Sequence, residues 1–225
     1  MEPAVLFDLE GTLVQTPWED LQHVLEFRRQ TKMKLIELGI PPTVLDGIER
    51  STLMRNRALE YVEKNFSKTS KNKYHQDMEK FLKQYELDAA RRSKLFPETI
   101  AILDELRKLG VKMGLITNTS REAVDIVFQL HALQKYFDVI VTRSDVKKLK
   151  PDPEGVLLAI KKLKAISFLM IGDLPLDMLA AKNANGEFII VKRNPKDESD
   201  IPADHSVQSL SEVQSIVRST IRHQN

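Results

Sequence analysis

Cysteine is absent from this chain. That excludes a disulfide framework, a zinc–thiolate site and a cysteine nucleophile. Neither sign of charge is in excess: 34 Lys and Arg stand against 32 Asp and Glu, a formal net charge of +2. A dedicated nucleic-acid binder usually carries a basic stripe or high positive charge, so no nucleic-acid partner is expected. No apolar run approaches the roughly 20 residues of a membrane span, so no membrane partner is expected either. The N-terminus lacks a basic segment followed by a long apolar stretch and does not read as a signal peptide. The expected compartment is the cytoplasm. The five histidines, His23, His75, His131, His205 and His223, show no metal-ligand spacing. The remaining composition, 42% apolar and 29% charged over 225 residues, is that of a globular protein with one large domain or a core carrying a smaller one.

What is present begins at Ala4–Phe7, a short apolar run that reads as a strand buried on both faces. It ends in Asp8, and Glu10 follows two residues on. In an extended chain such residues point to the same side. Gly11 then permits a sharp turn. Taken alone, the pair is equally well a solvated acidic turn. Residues 16–93 change character. Apolar positions recur at helical spacing over Leu21–Leu38, from Val44 to near Val62, and again through Met78, Phe81, Leu82, Tyr85 and Leu87. Gly39, Pro41 and Pro42 break the first pattern, and the polar stretch Ser67–Asn72 breaks the second. This segment is expected to be an all-helical insertion between residues 1–15 and 94–225.

From Leu95 onward helix and strand alternate. Helices are expected from Pro97 to Gly110, from Ser120, over Pro153–Lys164, Pro175–Ala184 and Leu210–Ile221. Strands are expected at Val111–Thr117, Asp138–Thr142, Ser167–Gly172 and Glu187–Val191. Asp197 to Asp200 reads as an exposed polar loop. Repeated strand–helix units imply an α/β fold, a parallel sheet with helices on both faces. Right-handed crossovers then bring all strand carboxyl ends to one edge, where ligands of such sheets bind.

That edge collects Asp8, Glu10, Thr117, Lys150, Asp173 and Asp177. Clustered carboxylates without thiolate or histidine suit a hard cation such as magnesium. A carboxylate can attack a phosphoryl group, while a hydroxyl and an ammonium hold the transferring oxygens. Plainer accounts stand beside this one. Thr117 is also a β-branched strand residue. Lys150 belongs to the run Lys147-Lys148-Leu149-Lys150. Asp177 suits a helix dipole, and Asn118, Thr119 and Ser120 suit a helix cap.

Four segments in order resemble one family. Asp8-Leu9-Glu10-Gly11-Thr12-Leu13, Leu115-Ile116-Thr117-Asn118, Lys150-Pro151-Asp152-Pro153 and Gly172-Asp173-Leu174-Pro175-Leu176-Asp177 are similar to the four motifs of the haloacid dehalogenase-like hydrolases. The branch with a helical cap, which includes phosphoglycolate phosphatase-like enzymes, is the nearest in pattern. The resemblance implies a Rossmann-like core and an inserted α-helical cap. It implies a magnesium-dependent phosphatase that hydrolyses a small phosphorylated metabolite through an aspartyl-phosphate. Asp8 would be the nucleophile. Thr117, Asn118 and Lys150 would bind substrate, with Lys150 also neutralising charge. Asp8, Asp173 and the Glu10 carbonyl would hold Mg2+, and Asp177 would support the metal or Lys150 from behind.

Glu10 departs from the pattern, which has aspartate there as general acid and then general base. Glutamate keeps the proton chemistry, its reference pKa being only about 0.4 unit higher, but it adds a methylene. The alternative is therefore a weakly active or inactive relative that binds a phosphorylated ligand or a protein. A dehalogenase is disfavoured, because Glu10 and Asp173 have no place in that metal-free chemistry. Arg55, Arg57, Arg91 and Arg92 are candidates to meet an anionic substrate from the insertion. Nothing in the sequence gives the oligomeric state.

Overall fold

The structure, a computed structural model, describes residues 4–16, 21–193 and 201–223. The expected polar loop at Asp197 to Asp200 lies outside them. The chain divides into two compact units, one made of Met1–Thr16 and Ser93–Asn225, the other of Pro17–Arg92.

The first unit opens with β1 (Ala4–Phe7), followed by β2 (Val14–Gln15). After the second unit the chain returns through β3 (Lys94–Leu95), antiparallel to β2. The order continues α4 (Thr99–Lys108), β4 (Lys112–Ile116), α5 (Arg121–His131), β5 (Val139–Val141) and α6 (Glu154–Leu163). It ends with β6 (Phe168–Gly172), α7 (Pro175–Asn183), β7 (Glu187–Val191), β8 (His205–Val207) and α8 (Val213–His223). Six strands form one parallel sheet in the order β5-β4-β1-β6-β7-β8. The chain runs outward from β1 to β5, then crosses back to β6 on the other side of β1. The order reverses between β1 and β6, and that switch point is where an open sheet leaves a crevice for ligands.

Alternation along β1 explains both faces. Ala4 and Leu6 join Met170, Phe188 and Ile190 in a cluster with Val156 and Ala159 of α6 and Ala180 and Ala181 of α7. Phe7 points the other way, edge-on to Phe137 at 6.2 Å, and Phe137 meets Phe128 of α5. Helices thus cover both faces, and the strands are continuous apolar runs, as parallel sheets require. β8 and the β2–β3 ribbon were not foreseen, since two- and three-residue strands carry no periodic signal. Helix boundaries follow local chemistry. Ser120 caps α5 by accepting from the Ala123 N–H, and Gly110, at φ +74°, turns the chain out of α4.

The second unit holds α1 (Leu21–Glu37), α2 (Ser51–Asn65) and α3 (Lys68–Arg91). Its core is Leu35, Ile40, Leu45, Met54, Ala58, Val62, Tyr74, Met78 and Leu82. Two expectations need correction. The helix expected from Val44 begins only at Ser51, because Pro41, Pro42 and Gly47 (φ +72°) hold the preceding stretch in a short 3-10 turn and a bend. The polar stretch Ser67–Asn72 is not a break. Ser67 caps α3 by accepting from the Ser70 N–H at 3.2 Å, and residues from Lys68 onward form its solvated first turns.

Candidate active site

Asp8 closes β1 with its N–H donating to the Ile171 carbonyl at 2.9 Å. Register sets Phe7 between Leu115 of β4 and Ile171 of β6, so the ends of those strands flank the Asp8 carboxylate. Lys150 reaches the same point from the loop before α6. Its ammonium donates to Asp8 Oδ1 at 2.6 Å, to Asp177 Oδ1 at 2.6 Å and to the Ile116 carbonyl at 3.0 Å. Asp8, Lys150 and Asp177 are all buried. Asp177 lies in the first turn of α7, and its other oxygen accepts from the Leu174 N–H at 3.1 Å. Gly172 makes room for it, since a Cβ there would lie 2.6 Å from the Asp177 carboxylate. Lys150 is therefore not part of a solvated lysine run.

Asn118 fixes the Lys150 backbone. Its side-chain oxygen accepts from the Lys150 N–H at 2.9 Å, and its amide donates to the Lys150 carbonyl at 3.2 Å. With its side-chain amide engaged on the Lys150 backbone, Asn118 can meet an anion through its main-chain N–H or its second side-chain N–H. Thr117, buried at the end of β4, accepts from the Thr119 N–H at 3.2 Å. That bond leaves the hydroxyl proton uncommitted, so Thr117 keeps a donor for an anion.

Three carboxylates share this small volume with one ammonium. Asp8, Asp173 and Asp177 each offer an oxygen within 4.8 Å of the others. Burial, aided by the Asp177 charge, pushes the Asp8 carboxyl up to about 6 despite the opposing pull of Lys150. Burial and the charges of Asp177 and Asp8 raise Asp173 well above the usual carboxylate range. Burial alone would depress Lys150, but Asp177 and Asp8 outweigh it and hold the ammonium charged. Ionised carboxylates in such a site want a further cation. An all-oxygen donor set of this charge fits a hard divalent ion. Asp177 already spends both oxygens on Lys150 and Leu174, which leaves Asp8 and Asp173 as the better-suited pair.

The loop after β1 is held from several sides. Gly11 has φ +80°, and a Cβ there would collide with the Asp173 carboxylate. The Thr12 hydroxyl donates to Asp173 Oδ1 at 3.3 Å. Arg193, just past β7, donates to the carbonyls of Gly11 (3.0 Å) and Thr12 (2.6 Å) and to Glu98 Oε1 (2.7 Å). Its guanidinium lies over the Phe96 ring at 3.3 Å. The Glu10 carboxylate lies outside the group of three aspartates, and its Oε2 accepts from the Thr119 hydroxyl at 2.9 Å. Arg193 carries no sequence signal, and Thr119 read only as a helix-cap residue, since neither sits in a recognisable pattern with its partners. Of the arginines singled out in the insertion, Arg57 and Arg92 pair with Glu60 and Asp88 on their own segments.

A family model for the haloacid dehalogenase-like hydrolases matches residues 5–191. The chain belongs to that family. This hydrolase is 31% identical over 188 residues to the pyrophosphatase PpaX of Bacillus cereus, with 80% of this chain and 78% of the relative covered. It is 27% identical over 219 residues to the pyrophosphatase PpaX of Bacillus mycoides, covering 93% and 94%. Among solved structures, a HAD phosphatase from Thermococcus onnurineus superposes with a TM-score of 0.58 at 26% identity, covering 96% of this chain and 97% of that one. No helix among the described residues of the hydrolase is long and apolar enough to cross a membrane.

Proposed function

We propose that this hydrolase is a magnesium-dependent phosphatase for a small phosphorylated metabolite, working through a phosphoryl group carried on Asp8. The observation that carries the reading is the Asp8–Lys150–Asp177 chain, with Asp173 close enough to share a cation with Asp8. Asp8 and Asp173 would hold Mg2+ together with the Glu10 carbonyl. The ion would offset carboxylate and phosphate charge.

The steps assigned to the chain's own residues are these. An Asp8 oxygen attacks phosphorus, and the bond to the leaving oxygen breaks. Glu10 gives that oxygen a proton. The Thr117 hydroxyl holds a phosphoryl oxygen, and the Lys150 ammonium beside Asp8 offsets the negative charge as it shifts. Glu10, now ionised, takes a proton from water, which attacks phosphorus and releases phosphate, restoring Asp8. The helical unit is proposed as a cap that selects substrate, because the chain leaves for it directly after the Glu10 loop and returns beside it through β3.

Pyrophosphate heads the substrates to test, on the strength of the Bacillus relatives named above. Purified protein should be offered pyrophosphate and a panel of small phosphate monoesters, with magnesium and with excess chelator, beside an Asp8→Asn variant. Magnesium-dependent phosphate release by the parent, lost in Asp8→Asn, is expected. Phosphate binding without turnover of any ester would favour the binding-protein reading, for which the glutamate at position 10 is the supporting observation.

A further inference from the structure

Thr119 lies 109 positions from Glu10, yet its hydroxyl meets the Glu10 carboxylate at 2.9 Å. The hydroxyl is not on a loose loop. Thr119 is 5% exposed, its N–H donates to Thr117 Oγ1 at 3.2 Å, and its carbonyl accepts from the Arg143 N–H at 2.9 Å. The next residue, Ser120, is the cap of α5. The donor is thus fixed by a strand end on one side and a helix start on the other. Glu10 is the opposite case, a longer side chain than the aspartate of the family motif, with one more rotatable bond to fix before its carboxyl can meet a substrate oxygen. Its backbone is steadied by the bridge to Val14 and by Arg193 on the next two carbonyls, but those contacts do not aim the side chain.

We propose that Thr119 is the positioning residue for the acid–base carboxyl: its hydroxyl aims the long arm of Glu10, making glutamate serviceable where a shorter acid is usual. The inference rests on Glu10 as general acid–base group. It requires the hydroxyl and not merely the residue's volume. It also couples the two positions, since a shorter acid at position 10 falls short of the hydroxyl.

The test is steady-state turnover of an alkyl and an aryl phosphate by the parent, Thr119→Val, Thr119→Ala, Thr119→Ser, Glu10→Gln and the Thr119→Val/Glu10→Gln double variant, each checked for folding by circular dichroism. General acid–base terms are about 10²–10⁴-fold, and misaiming the group should forfeit about 10–10²-fold of that in kcat. Thr119→Val should lose that much on the alkyl ester with KM little changed. In kcat/KM, which reports transfer to Asp8, the loss should be much smaller on the aryl ester, whose leaving oxygen needs little protonation; its kcat falls because water activation suffers as well. Thr119→Ser should restore turnover, and Thr119→Val should add nothing once Glu10 is Gln. Thr119→Ala gives the same reading should the valine variant not fold. If Glu10→Gln is damaging while Thr119→Val and Thr119→Ala match the parent, the inference is wrong and the role of Glu10 survives. Equal losses in kcat/KM on both esters, additive with Glu10→Gln, also overturn it. If Glu10→Gln matches the parent, the acid–base role given to Glu10 fails and the inference falls with it; if the parent turns over neither ester nor pyrophosphate, the proposed function fails and the inference with it.

Discussion

Lys150→Met removes the one ammonium at the centre of the site and leaves its packing volume nearly filled. Two carboxylate oxygens at 2.6 Å and a carbonyl at 3.0 Å lose their donor, all in a buried position. Removing one partner of a buried ion pair costs about 3–5 kcal/mol. The cost should depend on pH in a direction the structure sets. Asp8 sits at about 6 in the folded parent against 3.8 when unfolded, so its stabilising contribution is full below 3.8 and is lost as pH rises through 6. Lys150 acts to lower that value, so without it the carboxyl climbs further. Above pH 6 the parent has finished losing this contribution, while the variant goes on losing about 1.4 kcal/mol per pH unit. Between pH 6 and pH 8 the gap should therefore widen by up to about 2.7 kcal/mol. Urea unfolding by circular dichroism in excess chelator, at pH 5.5, 7 and 8, measures this directly. Magnesium should return part of the loss by supplying positive charge, and adding Asp177→Asn should return part by removing a carboxylate. A destabilisation below about 1 kcal/mol at pH 8, or one unchanged between pH 5.5 and 8, would refute the argument.

Other outcomes can be checked in parallel. Excess chelator should abolish turnover and added magnesium restore it, whereas full activity in chelator would remove the metal from the reading. Because protons and the ion compete for Asp8 and Asp173, apparent magnesium affinity by titration calorimetry should weaken as pH falls, by up to about tenfold per unit for each carboxyl that takes up a proton. Gly11→Ala forces a side chain into φ +80° and against Asp173, so it should cost at least about 1–2 kcal/mol and raise the magnesium concentration for half-maximal activity. Arg193→Met takes a donor from two main-chain carbonyls and from Glu98, which keeps the Leu210 N–H, and a loss of about 2–3 kcal/mol by urea unfolding is expected. A parental midpoint would show the arginine to be dispensable to the loop.

Much of this protein was written locally. The buried strands are short apolar runs ending in turn residues, and local chemistry stops each one at a definable point, so Ala4–Phe7 and Glu187–Val191 come directly from the chain. Strand–helix alternation then dictates the parallel sheet, and the handedness of crossovers brings Asp8, Thr117, Lys150 and Asp173 to one edge. The resemblance implied Lys150 beside the Asp8 charge with Asp177 in support, but the chain alone did not reveal the contacts that place them. Asn118 clasps the Lys150 backbone 32 positions away, Lys150 bridges Asp8 and Asp177 across 142 and 27 positions, and Thr119 and Arg193 reach the loop after β1 across 109 and more than 180. A hydrogen bond of that separation leaves no periodic trace. Its donor and acceptor meet only because strand order and register place two loops side by side, a property of the assembled sheet and of no single segment.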